Sequence, residues 1–130
     1  MSSPEATQIP RWQIILSWVL SCLPLLAFVP SAYMKIAQPG DFLAQWSQGF
    51  PASTARPIGI VELACVVIYL IPRTAVLGAI LTTGYLGGAI SVHVAKGEPA
   101  FAIPLFIGVL LWAALYLRTP RLRALLPLVK

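Results

Sequence analysis

Uncharged stretches of 23, 22 and 19 residues, at 12–34, 74–95 and 99–117, alternate with short polar connectors along the 130-residue chain. A fourth apolar stretch, 57–72, carries a single acid, Glu62. Because a helix rises about 1.5 Å per residue, roughly 20 apolar residues cross the hydrocarbon core of a bilayer. The pattern predicts four transmembrane helices. The fold class it predicts is all-α, an integral membrane four-helix bundle over residues 11–118. Residues 1–10 read as a disordered tail and 119–130 as a basic tail.

The connectors refine this picture. In 41–49, Phe42, Leu43 and Trp46 fall at helical spacing behind Asp41, a suitable N-cap. That spacing predicts a short interfacial helix between the first and second spans, anchored by Trp46 and Phe50. The second span opens at Pro57, a favoured first helical position. At 16 residues it is only about 24 Å long. Either its upstream flank extends it, or the bilayer thins around it. The tight Pro72-Arg73-Thr74 turn makes the second and third spans antiparallel neighbours.

Composition excludes several classes. Hydrophobic residues are 58% and charged residues 10%, against roughly 25% charged in a soluble domain. The net charge of +5 does not form a nucleic-acid surface, because the basic residues stand at the ends of apolar segments. The first span is longer than the roughly 7–15 residues of a signal-peptide core and lacks a good cleavage site, so it reads as an uncleaved helix. Cys22 and Cys65 form no C-x-x-C pair and no metal spacing, and read as small packing residues. No Ser/His/Asp set, phosphate-binding glycine loop or carboxylate pair is present, which argues against autonomous catalysis. A single histidine disfavours an intrachain haem or zinc site.

Candidate chemistry centres on Glu62. An ionisable group within a membrane span costs roughly 2.5–3.5 kcal/mol on insertion scales and calls for a partner. Lys35 closes the first span, and His93 lies near the matching end of the third. Three titratable groups thus reach similar depth and define a polar pocket, with Lys35 the preferred partner of Glu62 and His93 the second. Two accounts stay open: a structural ion pair that fixes helix register, or a ligand or proton site. Thr82, Tyr85, Ala89 and His93 share a stripe on the third span that faces Glu62, Val66 and Tyr69 on the second. Tyr69, Thr82 and Tyr85 therefore join the candidate pocket. Gly78, Gly84, Gly87 and Gly88 give small-x-x-x-small spacings, expected to pack against a neighbouring helix.

Particular runs carry a family resemblance. Gly59-Ile60-Val61-Glu62-Leu63, then Leu70-Ile71-Pro72-Arg73-Thr74, then Leu77-Gly78-Ala79-Ile80-Leu81-Thr82-Thr83-Gly84-Tyr85-Leu86-Gly87-Gly88-Ala89-Ile90 closely resemble the DoxX-like membrane family. Ser31-Ala32-Tyr33-Met34-Lys35 is similar to the family's Ser-Gly-x-x-Lys feature, with Ala32 in place of glycine. The resemblance implies a four-helix bundle in a prokaryotic plasma membrane, and a redox accessory role in which a quinone is the cofactor to consider. It points to an accessory subunit of a quinone-linked or thiol-redox system, with a redox protein as partner. The alternative is a small-ligand, lipid or quinone-binding module or an assembly chaperone. Membrane lipid is a necessary neighbour, and a homo-oligomer is compatible with the glycine pattern.

Four crossings put both termini on the face of Arg11, Arg73, Arg118, Arg121, Arg123 and Lys130, against Lys35, Arg56 and Lys96 on the other. The positive-inside rule then places both termini in the cytoplasm. Reporter fusions at the C-terminus and within 41–49 should accordingly give opposite topology signals. Matching signals would overturn the four-crossing arrangement.

Overall fold

A computed structural model describes residues 8–126. Its long helices are α1 (Arg11–Ala37), α3 (Ala55–Leu70), α4 (Ala75–Ala95) and α5 (Ala102–Arg118). The short α2 (Phe42–Trp46) lies between α1 and α3, and α6 (Pro120–Leu125) follows α5. The predicted all-α bundle with a short helix after the first span is therefore present. Four segments are long and apolar enough to cross a membrane: Arg11–Ala37, Ala52–Leu70, Ala75–Ala95 and Pro99–Arg118. Of the expected tails, residues 1–7 and 127–130 lie outside the described residues.

Local chemistry sets the boundaries. Helix α1 ends where Gln38 takes a left-handed conformation and its N–H bonds Met34 O, after which Pro39-Gly40 turns the chain. Helix α3 begins at Ala55, preceded by a 3₁₀ turn at Ala52–Thr54, so the upstream flank does extend the short second span. Pro57 sits in the first turn, where its missing N–H has no intrahelical partner to lose. At the other end Ile71 is extended (φ −78°, ψ 118°), as the residue before a proline prefers.

The helices pack as a ring. Helix α1 touches α3 and α5, and α4 touches the same two, so α1 and α4 are diagonal. Phe28 and Tyr85 meet across the middle with ring centroids 5.9 Å apart. The polarity is inverted relative to a water-soluble bundle. Ser17, Ser21, Glu62 and Thr82 are buried, while Ile15, Leu26, Ile80 and Val109 face outward. An apolar exterior is what hydrocarbon requires, and the interior is the place left for polar groups.

A close approach lies between α3 and α4. A Cβ added at Gly78 would stand 2.3 Å from Tyr69 N, so the two helices touch backbone to backbone beside their connecting turn. The other glycines of α4 behave differently. Added Cβ atoms at Gly84, Gly87 and Gly88 would meet nothing within 4 Å. The expectation that these three pack against another helix is therefore corrected. Helix α4 buries Ala75, Gly78, Ala79, Thr82 and Leu86, and Gly84 lies two residues, about 200°, round from Thr82. Gly78→Val should lower the detergent melting temperature sharply or prevent accumulation, since overpacking a close contact costs about 1–3 kcal/mol or more. Gly87→Ala should leave melting almost unchanged; equal sensitivity at both positions would contradict this packing.

Candidate functional site: a cavity floored by a buried ion pair

Lys35 and Glu62 are brought together by α1 and α3. Lys35 Nζ lies 2.8 Å from Glu62 Oε2, with the Glu62 residue only 2% exposed. The same ammonium donates to Ser31 Oγ one turn back on α1. The approach depends on small residues. A Cβ on Gly59 would come within 2.7 Å of Lys35 Cβ and 3.1 Å of Ala32 O, so only glycine lets α1 close on α3 here. Gly59 stands one turn before Glu62 and thereby positions both members of the pair.

Above the pair opens a cavity of about 1120 Å³. Helices α1, α3, α4 and α5 contribute walls, including Phe28, Val61, Tyr85 and Ile107. Gly84 and Gly88 leave room on the α4 side, which accounts for their lack of packing neighbours. Tyr85 lines the same cavity as Glu62. The chain from Phe42 to Phe50 covers the mouth. Phe42, Trp46 and Phe50 stack in succession (centroids 5.9 and 4.9 Å apart), and Lys96 Nζ lies 5.6 Å from the Phe50 ring centroid. Trp46 Nε1 donates to Thr54 Oγ1 at 3.2 Å and to Pro51 O at 3.3 Å, pinning the cover to the start of α3. Trp46 and Phe50, expected as surface anchors, thus line the cavity mouth.

Three candidate residues sit elsewhere than expected relative to Glu62. His93 lines the cavity, but its Nδ1 lies 2.7 Å from Glu98 Oε2 in the following loop rather than at Glu62. Thr82 is buried, and its Oγ1 is the buried side-chain polar atom without a hydrogen-bond partner among the described residues. Tyr69 belongs to a second polar cluster. Its hydroxyl donates to Leu111 O (3.0 Å) and lies 3.1 Å from Ser21 Oγ. Arg118 donates to the same Ser21 Oγ at 2.9 Å and stacks 4.5 Å from Trp18 and 5.1 Å from Tyr69. Tyr69 lies seven residues past Glu62 on α3, about 10 Å further along the axis. Glu62 and Tyr69 are thus both buried on α3 but belong to two clusters at different depths.

Sequence reasoning missed Ser17, Ser21 and Arg118. The available signal was the α1 series Ser17, Ser21, Pro24, Phe28 and Ala32, which recurs every three or four residues and is buried throughout. The two cysteines also divide: Cys65 is buried, whereas Cys22 is exposed on the outer face, and both are free.

The fold and this internal site define a multi-pass helical membrane protein built around buried polar groups. A sequence model of the DoxX-like family matches residues 19–114, and the chain belongs to that family. No curated protein and no solved structure matches it.

A buried pair that loses one member leaves an uncompensated charge, at a cost of about 3–5 kcal/mol. Glu62→Gln and Lys35→Met should each destabilise the detergent-solubilised protein by about that much. The double substitution should lose less than the sum, with a coupling of about 0.5–3 kcal/mol. Strict additivity in thermal or denaturant unfolding would show that the two charges do not support each other.

Proposed function

We propose that this protein is a ligand-binding membrane subunit whose cavity takes a small amphipathic ring of the quinone class, in an accessory role to a membrane redox system. The observation that carries the proposal is the cavity of about 1120 Å³ with Lys35, Glu62 and Tyr85 at its polar end and aromatic residues at its mouth. Ligand sites commonly combine mostly apolar walls with a few convergent polar groups in this way. The fit rests on chemistry already present. Lys35 has three donors, of which Glu62 and Ser31 occupy two at short range. The third donor, whose only protein contact among the described residues is a long 3.5 Å one with Ser31 O, and the Tyr85 hydroxyl are suited to the carbonyl oxygens of a quinone ring. Phe28, Trp46 and Phe50 offer faces for stacking, and Ile103 and Ile107 suit an apolar tail. A bound quinone would supply electron and proton transfer chemistry.

Glu62 would hold Lys35 oriented toward the ring. The Phe42–Phe50 segment would exclude water, and the Lys96–Phe50 contact would hold that cover in place. In this reading the cavity faces away from the cytoplasm of a plasma membrane, as the arginine distribution suggests, and a redox protein partner docks at that face.

Gly84→Leu tests the proposal, because a Cβ there would meet no atom within 4 Å and the rest of the side chain would extend into cavity space. The variant should fold with unchanged melting temperature yet bind a short-chain quinone at least tenfold more weakly, followed by quenching of tryptophan fluorescence. Extraction of wild-type protein from mild detergent should recover quinone by mass spectrometry. Unchanged binding in Gly84→Leu, or no quinone binding by wild type, would overturn the reading.

A further inference from the structure

The opposite end of the bundle carries a different kind of order. Of the acids in the described residues, Asp41 and Glu98 flank the cavity mouth and Glu62 is its floor. Arg11, Arg73, Arg118, Arg121 and Arg123 gather at the other end, and no carboxylate among the described residues pairs with any of them.

One of these arginines is built into place. Arg123 on α6 donates through Nε to Tyr116 O (2.8 Å) and through Nη2 to Gln13 Oε1 (2.7 Å) and Leu117 O. Its guanidinium lies 5.8 Å from the Tyr116 ring centroid. All these acceptors are neutral, and Nη1 has no protein acceptor among the described residues. The positive charge is held rigidly with a donor to spare.

Tyr116 is also the end wall of a groove. Between α4 and α5 runs an apolar furrow of about 670 Å³, lined by Leu86, Leu105, Val109, Trp112 and Tyr116 and closed by Leu126. Trp112, the groove's potential polar wall, is neutralised by its donation to Thr83 Oγ1 at 2.8 Å. The furrow follows α5 from Pro104 to Leu117, thirteen steps or about 20 Å. That is two-thirds of a hydrocarbon core of about 30 Å. Leu105 and Val109 on its wall are exposed, so the furrow opens toward lipid.

We infer that this furrow and Arg123 form one site for an anionic phospholipid, with an acyl chain along α4 and α5 and the headgroup phosphate at Arg123. Charge complementarity selects the headgroup, since basic pockets between membrane helices bind acidic lipid headgroups. Length and apolarity select the chain. The furrow shares only Leu86 and Pro104 with the cavity lining, and its headgroup end lies at the opposite end of the bundle from the cavity mouth.

Delipidated protein in neutral detergent, titrated with phosphatidylglycerol or phosphatidylcholine and read by native mass spectrometry, tests the inference. Wild type should retain phosphatidylglycerol at least fivefold more strongly, about the effect of one basic residue near an anionic surface. Arg123→Gln should remove most of that preference, whereas Arg73→Gln, at the same end but away from the furrow, should keep it. Val109→Trp should block the furrow and weaken retention of both lipids, and inorganic phosphate should not compete at equal concentration. Equal retention of the two lipids by wild type, or equal effects of Arg73→Gln and Arg123→Gln, would overturn the site. Should Arg123→Gln fail to accumulate, Val109→Trp decides: undiminished phosphatidylglycerol retention in that variant overturns the site, and loss of retention supports it.

Discussion

A carboxylate enclosed at 2% exposure within a membrane helix can persist as a charge only beside a cation. Lys35 supplies that cation at 2.8 Å, from a different helix. Much of the Glu62 half of the bundle follows from this one contact. Helix α1 must run long enough for Lys35 to reach the depth of Glu62, and α3 must offer Gly59 so that the backbones can close. The pair joins two helices while leaving the space beyond it open. A cavity with a fixed charge pattern at its floor is the result.

The second polar cluster performs a related task without a carboxylate. Arg118 leaves the end of α5, crosses to Ser21 of α1 and lies against Trp18 and Tyr69. Cation–π contacts stabilise a guanidinium where formal counter-ions are lacking. Tyr69 links this cluster to α5 through Leu111 O and stands where Gly78 brings α4 into contact with α3. One tyrosine thus connects four helices, which explains its burial better than a role in ligand recognition.

The four spans were legible because hydrocarbon excludes charge, and exclusion leaves a plain trace in any chain that must cross it. The Lys35–Glu62 pairing was legible for the same reason: an acid inside a span demands a partner at its own depth. Rotation of the helices was not. Small residues occur on more than one face of α4, and their spacing is equally good at Gly78/Thr82 and Gly84/Gly88. Only the tight turn at Pro72, which sets the Tyr69 backbone against Gly78, selects the first pair for packing, while Gly84 and Gly88 meet empty space. Ser17 and Ser21 were overlooked because serine in an apolar helix bonds its own backbone, as both do here, and so announces no partner.

Position along the chain also fixes an order in time. Synthesis proceeds from the N-terminus, and earlier segments organise first. Lys35 precedes Glu62 by 27 residues, so the cation already waits at the membrane when the acid emerges. Between the end of α1 and the start of α3 the chain includes only a five-residue helix and a 3₁₀ turn, which keeps the waiting lysine close by. Glu62 therefore need not enter the bilayer alone, and the most costly residue of the chain is delivered to a partner prepared in advance.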